Sequence, residues 1–208
     1  EIASCLVGSE MCIRDSITSD YRCFMEEGED VLEGVLLMLK YLGIPKCVIG
    51  IEKNKPKAIE KMTRLCEKHD NITVKPLKSS YPQGAEKTLI FSTTGRVVKE
   101  GTLPLASGCI VINSSTAAFI AQYIRTGMPL VKRRITVDGN IVKKPSNFIV
   151  PVGMSIGEIV YYAELSDKPD RIILGGPMMG ACAFDPDYPL SKTNNAVLTV
   201  SYTHLTLP

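Results

Sequence analysis

Polar side chains able to do chemistry are concentrated in three short stretches of this chain. The first is Tyr81-Pro82-Gln83-Gly84-Ala85-Glu86-Lys87, a turn running into a helix. Gly84 permits close backbone approach, a helix start favours an anion, and Glu86 and Lys87 could reach a cofactor. The second is Asn113-Ser114-Ser115-Thr116, where a strand runs into a helix. Its amide could bond a ring or ribose edge and its hydroxyls a phosphate. The third is Gly175-Gly176-Pro177-Met178-Met179-Gly180, a turn after an apolar strand. On spacing alone a surface turn with a solvated charge pair accounts better for the first, a plain helix cap accounts as well for the second, and packing or domain connection is the commoner explanation of the third. Other chemistries are poorly supplied. The two histidines are His69, in the charged helix end Glu67-Lys68-His69-Asp70, and His204 near the end of the chain. That leaves no basis for a nucleophilic triad. No pair of the seven cysteines has C-x-x-C spacing, so neither a zinc ribbon nor a ferredoxin-type cluster is expected within these residues. A complete G-x-G-x-x-G after a strand is also absent.

The elements that must position these groups read as mixed α/β. Val31, Leu32, Val35, Leu36, Leu39 and Leu42 recur at helical spacing, and Gly43 with Pro45 ends that helix. Cys47-Val48-Ile49-Gly50-Ile51 is a short apolar run suited to a strand covered on both faces. Asn54 and Pro56 are expected to open a second helix burying Ile59, Met62, Leu65 and Cys66, before a strand at Ile72-Thr73-Val74. Helix and strand alternating in this order predict parallel βαβ units. A helix near Ala85, a strand at Cys109-Ile110-Val111-Ile112-Asn113 and a helix to about Arg125 follow. Beyond Pro129 strands dominate. Asp138-Gly139 predicts a tight hairpin, Asn147-Phe148-Ile149-Val150 a strand, Ser155 a helix cap and Arg171-Ile172-Ile173-Leu174 a last strand. Hairpin, strand and helix suit a small β-grasp module.

Composition narrows the function classes. With 24 Lys+Arg against 22 Asp+Glu in 208 residues there is no basic stripe for nucleic acid. No apolar run reaches the length that spans a bilayer. Absent Trp and 6% aromatics weaken a stacking platform for sugars or single strands. A soluble, reduced, intracellular protein is the expectation.

Both ends look foreign to the rest. Leu6-Val7-Gly8-Ser9-Glu10-Met11-Cys12-Ile13-Arg14-Asp15-Ser16 and Val200-Ser201-Tyr202-Thr203-His204-Leu205-Thr206-Leu207-Pro208 resemble the translation of one transposon-based sequencing adapter, read on opposite strands. The natural segment is therefore expected to be about 17–199, an internal fragment. Setting the ends aside removes Glu1, Glu10, Asp15 and Arg14, which leaves 23 basic and 19 acidic residues.

Thr18-Ser19-Asp20-Tyr21-Arg22, Gly50-Ile51-Glu52-Lys53-Asn54-Lys55-Pro56, the 81–87 string and the 175–180 string together resemble the C subunit of the Rnf complex. That family is the ion-translocating ferredoxin:NAD oxidoreductase of bacterial membranes, related to the FMN- and NADH-binding subunit of respiratory complex I. The likeness runs in order over 17–199. It implies an α/β fold, with a Rossmann-like parallel sheet of the complex I flavin-subunit type (17–128) followed by a soluble-ligand-binding β-grasp domain (129–166). A return strand and connection (167–199) would lead towards a missing iron–sulfur domain. The Ser114-Ser115 pair departs from the Asn-Val or Asn-Val-Gly usual after the family's strand.

By the resemblance, FMN and NAD(H) are the cofactors, with tetranuclear iron–sulfur clusters in the full-length protein only. Gly84, Glu86 and Lys87 would lie near the flavin–nicotinamide site, and Asn113 and Thr116 at the flavin edge. Asp20 and Arg22 would belong to a loop closing it. No side chain need act as acid or base, and no metal ligand is expected in the fragment. The family's glycine-rich loop would lie upstream, so the fragment alone is expected to bind FMN weakly or not at all. Partners would be other Rnf subunits and, indirectly, ferredoxin, holding the protein peripherally on the cytoplasmic face of the cell membrane. Two alternatives share parts of this layout: a soluble cobalamin reductase of bacterial microcompartments, and a non-catalytic binding scaffold.

Overall fold

The computed structural model describes residues 4–8 (as backbone), 17–79, 85–176 and 180–201. The expectations for Tyr81 to Gly84 and for Pro177 to Met179 lie outside the described residues. The chain divides into two compact units, one of 4–8 with Asp20–Met128 and one of 17–19 with the residues from Pro129 onward.

Alternation along the short apolar strands builds the first unit. It contains β1 (Ser4–Gly8), α1 (Ser19–Glu26, from Asp20), α2 (Gly28–Leu42), β2 (Cys47–Glu52), α3 (Pro56–Cys66), β3 (Ile72–Leu77), α4 (Glu86–Thr94), β4 (Cys109–Asn113) and α5 (Ser114–Thr126). The strands form one parallel sheet in the order β3-β2-β1-β4. Cys47, Ile49 and Ile51 point to one face, where they pack with residues of α2, α3 and α5, joined from β4 by Ile110 and Ile112. Val48 and Val111 point to the other face, against Leu77 and against Leu89 and Ile90 of α4. Helices thus cover both faces, and the continuously apolar strands follow from that. This is the Rossmann-like α/β arrangement read from the sequence.

Two glycines set how closely the helices dock. A Cβ on Gly34 of α2 would lie 1.9 Å from the Ala117 carbonyl oxygen of α5, so the two backbones touch there. A Cβ on Gly50 would lie 2.7 Å from Leu77 Cδ1 and 2.9 Å from Leu89 Cδ1, which lets α4 settle on β2. Helix α2 ends as expected at Gly43, left-handed at φ 63, whose N–H reaches Leu39 O. Asn54 does not cap α3. The cap position is Lys55 without a side-chain bond, while Asn54 N donates to Ser79 Oγ at 3.3 Å. Pro56 at the first helical position supplies the start instead.

Strand β1 comes from the adapter-like stretch. It runs between β2 and β4, with Gly8 opposite both Gly50 and Asn113. Strand pairing is main chain to main chain, and a short Cys-Leu-Val run meets its requirements.

The second unit contains β5 (Lys132–Asp138), β6 (Ser146–Pro151), α6 (Ile156–Ala163), β7 (Arg171–Leu174), β8 (Ala181–Ala183) and β9 (Ala196–Val200). Its sheet has the order β6-β5-β9-β7-β8, with β9 parallel to β5 and the other pairs antiparallel. A hairpin, a crossing helix and a central returning strand make a β-grasp pattern. Ile156, Ile159, Val160 and Ala163 of α6 pack with Ile135, Val137 and Val197 of the sheet. Ser155 caps α6, accepting from Glu158 N at 3.2 Å. Segment 129–166 does not complete this sheet; β7, β8 and β9 belong to it as well.

The Asp138-Gly139 turn departs from expectation. Strands β5 and β6 pair, but through a loop over 139–145 rather than a two-residue turn. Gly139 has φ 142, and a Cβ there would lie 1.8 Å from the Thr199 carbonyl oxygen. Val142 leaves to bridge Leu165 instead of pairing within the hairpin. Glycine serves close backbone approach here, a requirement that a dipeptide pattern does not separate from a tight turn.

Candidate functional site

In a parallel sheet wound on both faces, ligands bind outside the carboxyl ends of the strands, where the strand order reverses. In the order β3-β2-β1-β4 the reversal falls between β1 and β4, and Asn113 is the last residue of β4. Helix α5 starts there directly. Helix α4 follows the carboxyl end of β3, and Arg96 just beyond it reaches Cys109 at the opposite end of β4 at 3.7 Å. The start of α4 therefore faces the same edge as the start of α5.

At the β4–α5 corner the side chains are tied together. Asp20 is 7% exposed, and its Oδ1 accepts Ser114 Oγ at 3.0 Å while its Oδ2 accepts Asn113 Nδ2 at 3.3 Å. Asn113 Oδ1 caps α5, accepting Ser115 N at 2.9 Å and Ser115 Oγ at 2.6 Å. Ser114 is fully buried. Its hydroxyl serves Asp20, which removes it as the phosphate donor the sequence suggested. Thr116, in the first turn of α5, is exposed.

The start of α4 is open by contrast. Ala85 at the cap position makes no side-chain bond, and Glu86 and Lys87 are both exposed. Lys87 Nζ donates to Lys99 O at 3.0 Å, turning towards the loop after α4. That loop borders a cavity of about 550 Å³ lined by Arg96, Val97, Lys99, Thr102, Ala106 and Ser107. The hydroxyls of Thr102 and Ser107 donate to Lys99 O and Val97 O. Arg22 is exposed and pairs with Glu26 at 3.2 Å, one turn along α1, away from the Asp20 network. Gly84 lies outside the described residues.

The structure thus unites Asp20 with Asn113 and leaves Glu86, Lys87, Arg22 and Thr116 on the surface. Sequence reasoning missed Glu52. It ends β2 at the same sheet edge and is 6% exposed, a buried carboxylate in an otherwise apolar strand. Its signals were an acid closing an apolar run and its place in the 50–56 string, neither of which assigned it a role. Among the described residues no group of three His, Cys, Asp or Glu could hold a metal ion, and no helix is long and apolar enough to cross a membrane. Burial pushes the Cys66 thiol up to about 11, which keeps it protonated and unreactive at neutral pH.

Residues 15–122 match the family described as the Nuo51 FMN-binding domain. The chain belongs to that family. Strand β1 lies outside the matched residues. The chain is 38% identical over 183 residues to the C subunit of the proton-translocating ferredoxin:NAD(+) oxidoreductase complex of Clostridium ljungdahlii, covering 88% of this chain and 40% of that protein. It is 37% identical over 186 residues to the Na(+)-translocating counterpart of Acetobacterium woodii, covering 89% of this chain and 42% of that protein. The chain thus spans about two fifths of the curated relatives it matches. A solved NAD+-reducing [NiFe]-hydrogenase in its air-oxidized state has a chain of the same fold, with TM-score 0.76 at 16% identity over 98% of this chain and 41% of that one.

Proposed function

We propose that this chain is the electron-input part of the C subunit of an Rnf-type complex, binding FMN and NAD(H) at the carboxyl edge of the parallel sheet. The observation that carries the reading is the buried Asp20–Asn113–Ser114 network at the point where strand order reverses. The residues present fit a flavin in kind. Asp20 holds Asn113 and Ser114 together, and Asn113 in turn caps α5 through Ser115, so the edge that would meet the ring is rigid before any ligand arrives. Thr116, Glu86 and Lys87 sit in the first turns of two helices at that edge and offer a hydroxyl, a carboxylate and an ammonium. Bound FMN would supply hydride acceptance from NADH and release of single electrons, and the protein supplies position and charge. Iron–sulfur clusters would lie in the part of the full-length protein beyond this chain. Other members of the complex would hold it peripherally on the cytoplasmic membrane face.

Gly84 would allow the ligand to approach the α4 turn. Arg22 would join the site only by exchanging Glu26 for a ligand anion. Residues 1–16 and 200–208 would be adapter-derived, β1 then occupying the place of a natural strand.

Two measurements test the reading. One long DNA read through both ends should show a glycine-rich loop upstream, paired C-x-x-C-x-x-C motifs downstream and neighbouring genes for membrane subunits. Flanks with neither motif, or neighbours encoding microcompartment shell proteins, would overturn it. In the full-length protein, Glu86→Ala with Lys87→Ala should weaken NADH or FMN binding about tenfold. Unchanged affinities would remove both residues from the site.

A further inference from the structure

The second unit presents an aromatic face that its own fold does not cover. Phe184 is 99% exposed, Tyr161 77%, Tyr162 59% and Tyr188 50%. The two segments that carry them are hydrogen-bonded neighbours. Gly157 N donates to Pro186 O at 2.7 Å and Ile156 N to Tyr188 O at 3.0 Å, so the segment after β8 lies along the first turn of α6. A Cβ on Gly157 would stand 3.0 Å from Pro186 Cβ, which fixes the side of α6 that this segment covers. Tyr161 is four residues on from Gly157 and shares that side. Tyr162 meets it edge-on, with ring centroids 5.9 Å apart.

The turn after β8 and the first turn of α6 carry charge of one sign, while Lys143 and Lys144 border the far end of α6. Residues 155–164 and 181–190 contain Glu158, Glu164, Asp185 and Asp187 and no Lys or Arg. Lys144 neutralises Glu164 at 2.5 Å. Glu158, Asp185 and Asp187 remain as an exposed acidic rim. Asp185 Oδ1 accepts Asp187 N at 2.9 Å, which holds the turn carrying two of the three. An acidic rim repels an anionic lipid surface and a nucleic acid alike. Tyr and Phe with matching charge are the composition of a protein interface.

We propose that this face, built from Tyr161, Tyr162, Phe184 and Tyr188 within the rim of Glu158, Asp185 and Asp187, docks a partner subunit of the complex through a segment of basic and apolar side chains. The proposal rests on the functional reading above and adds the surface and the chemistry of the contact.

The test uses the full-length protein, alone and within its purified complex. Backbone hydrogen exchange over 156–164 and 181–189 should slow at least tenfold in the complex relative to the isolated full-length chain. Phe184→Ser with Tyr161→Ser should weaken retention of the partner at least tenfold. Asp185→Lys with Asp187→Lys should weaken it too and flatten its dependence on salt. Equal exchange in both states overturns the proposal. Protection already present in the isolated chain assigns the face to the rest of that chain, and concentration-dependent protection assigns it to a second copy; either result also overturns it. FMN content and NADH-driven reduction of an artificial acceptor by the isolated variants should stay at the unsubstituted level. If the unsubstituted full-length chain holds no FMN, the functional reading fails instead, and hydrogen exchange still reads the docking face.

Discussion

Two helix starts open onto the same edge of the parallel sheet, and they are built in opposite ways. At the start of α5, a carboxylate from α1 ties the cap residue and its neighbour, and these bonds join buried or half-buried groups. At the start of α4 the cap makes no side-chain bond and the first two side chains stand in solvent. The first arrangement trades adaptability for fixed geometry. The second keeps charge available to a ligand at little cost to the fold. A site that must hold a rigid ring and admit a second, exchanging ligand needs both kinds of edge.

Each helix is docked through a glycine, and substituting those glycines breaks the comparison most severely. Gly34→Ala places a methyl group against backbone at 1.9 Å, and neither α2 nor the helix α5 that carries the closed corner can yield locally. The expected loss is about 3 kcal/mol or more, read as a lower urea midpoint of the full-length protein with FMN released in the same transition. Asp20→Ala comes next. It leaves the fully buried Ser114 hydroxyl without its acceptor, a loss of about 1–3 kcal/mol. Asp20→Asn keeps an acceptor and should recover about half of that. If Asp20→Ala proves neutral in chemical denaturation, the closed corner is not a structural unit.

Gly50→Ala should cost less, about 1 kcal/mol, because the new methyl meets the ends of Leu77 and Leu89, which can rotate away. Its effect should tilt α4 and appear as a weaker NADH affinity before it appears in stability. A larger stability loss from Gly50→Ala than from Gly34→Ala would reverse the ranking of the two docking contacts.

Much of this architecture is legible in the sequence because it is local. Helices α2, α3 and α5 announce themselves through spacing, and β2, β4 and β7 through short apolar runs. The cap Ser155 and the left-handed ends at Gly43 and Gly127 follow from residue type alone. What escapes is non-local or ambiguous. Asp20 and Ser114 are 94 residues apart, and no pattern near either reveals that they meet. Asp138-Gly139 looks like a hairpin turn, yet its glycine answers a contact with Thr199 that only β9 creates. Asn54 has the type of a cap but stands one residue before the cap position, and the turn following β2 takes that role from it. Glu86 and Lys87 stand out by type and place. The bond from Lys87 to Lys99 O has no signal in the 81–87 string.

The smallest stability effect gives the sharpest test of the open corner. Glu86 sits in the first turn of α4, where a negative charge favours the helix by a few tenths of a kcal/mol, and Lys87 beside it disfavours the helix by a similar amount. Removing both should therefore nearly cancel. Lys87 also gives up its exposed bond to Lys99 O, worth about 0.5 kcal/mol at most. The double alanine variant should unfold within about 0.5 kcal/mol of the unsubstituted full-length protein, well inside what Asp20→Ala costs. Its loss should be confined to ligand affinity and should shrink as salt rises, because exposed charges are screened over about 8–10 Å. A double variant that unfolds early would show α4 to be held by its charges, and the two helix starts would then differ in exposure but not in purpose.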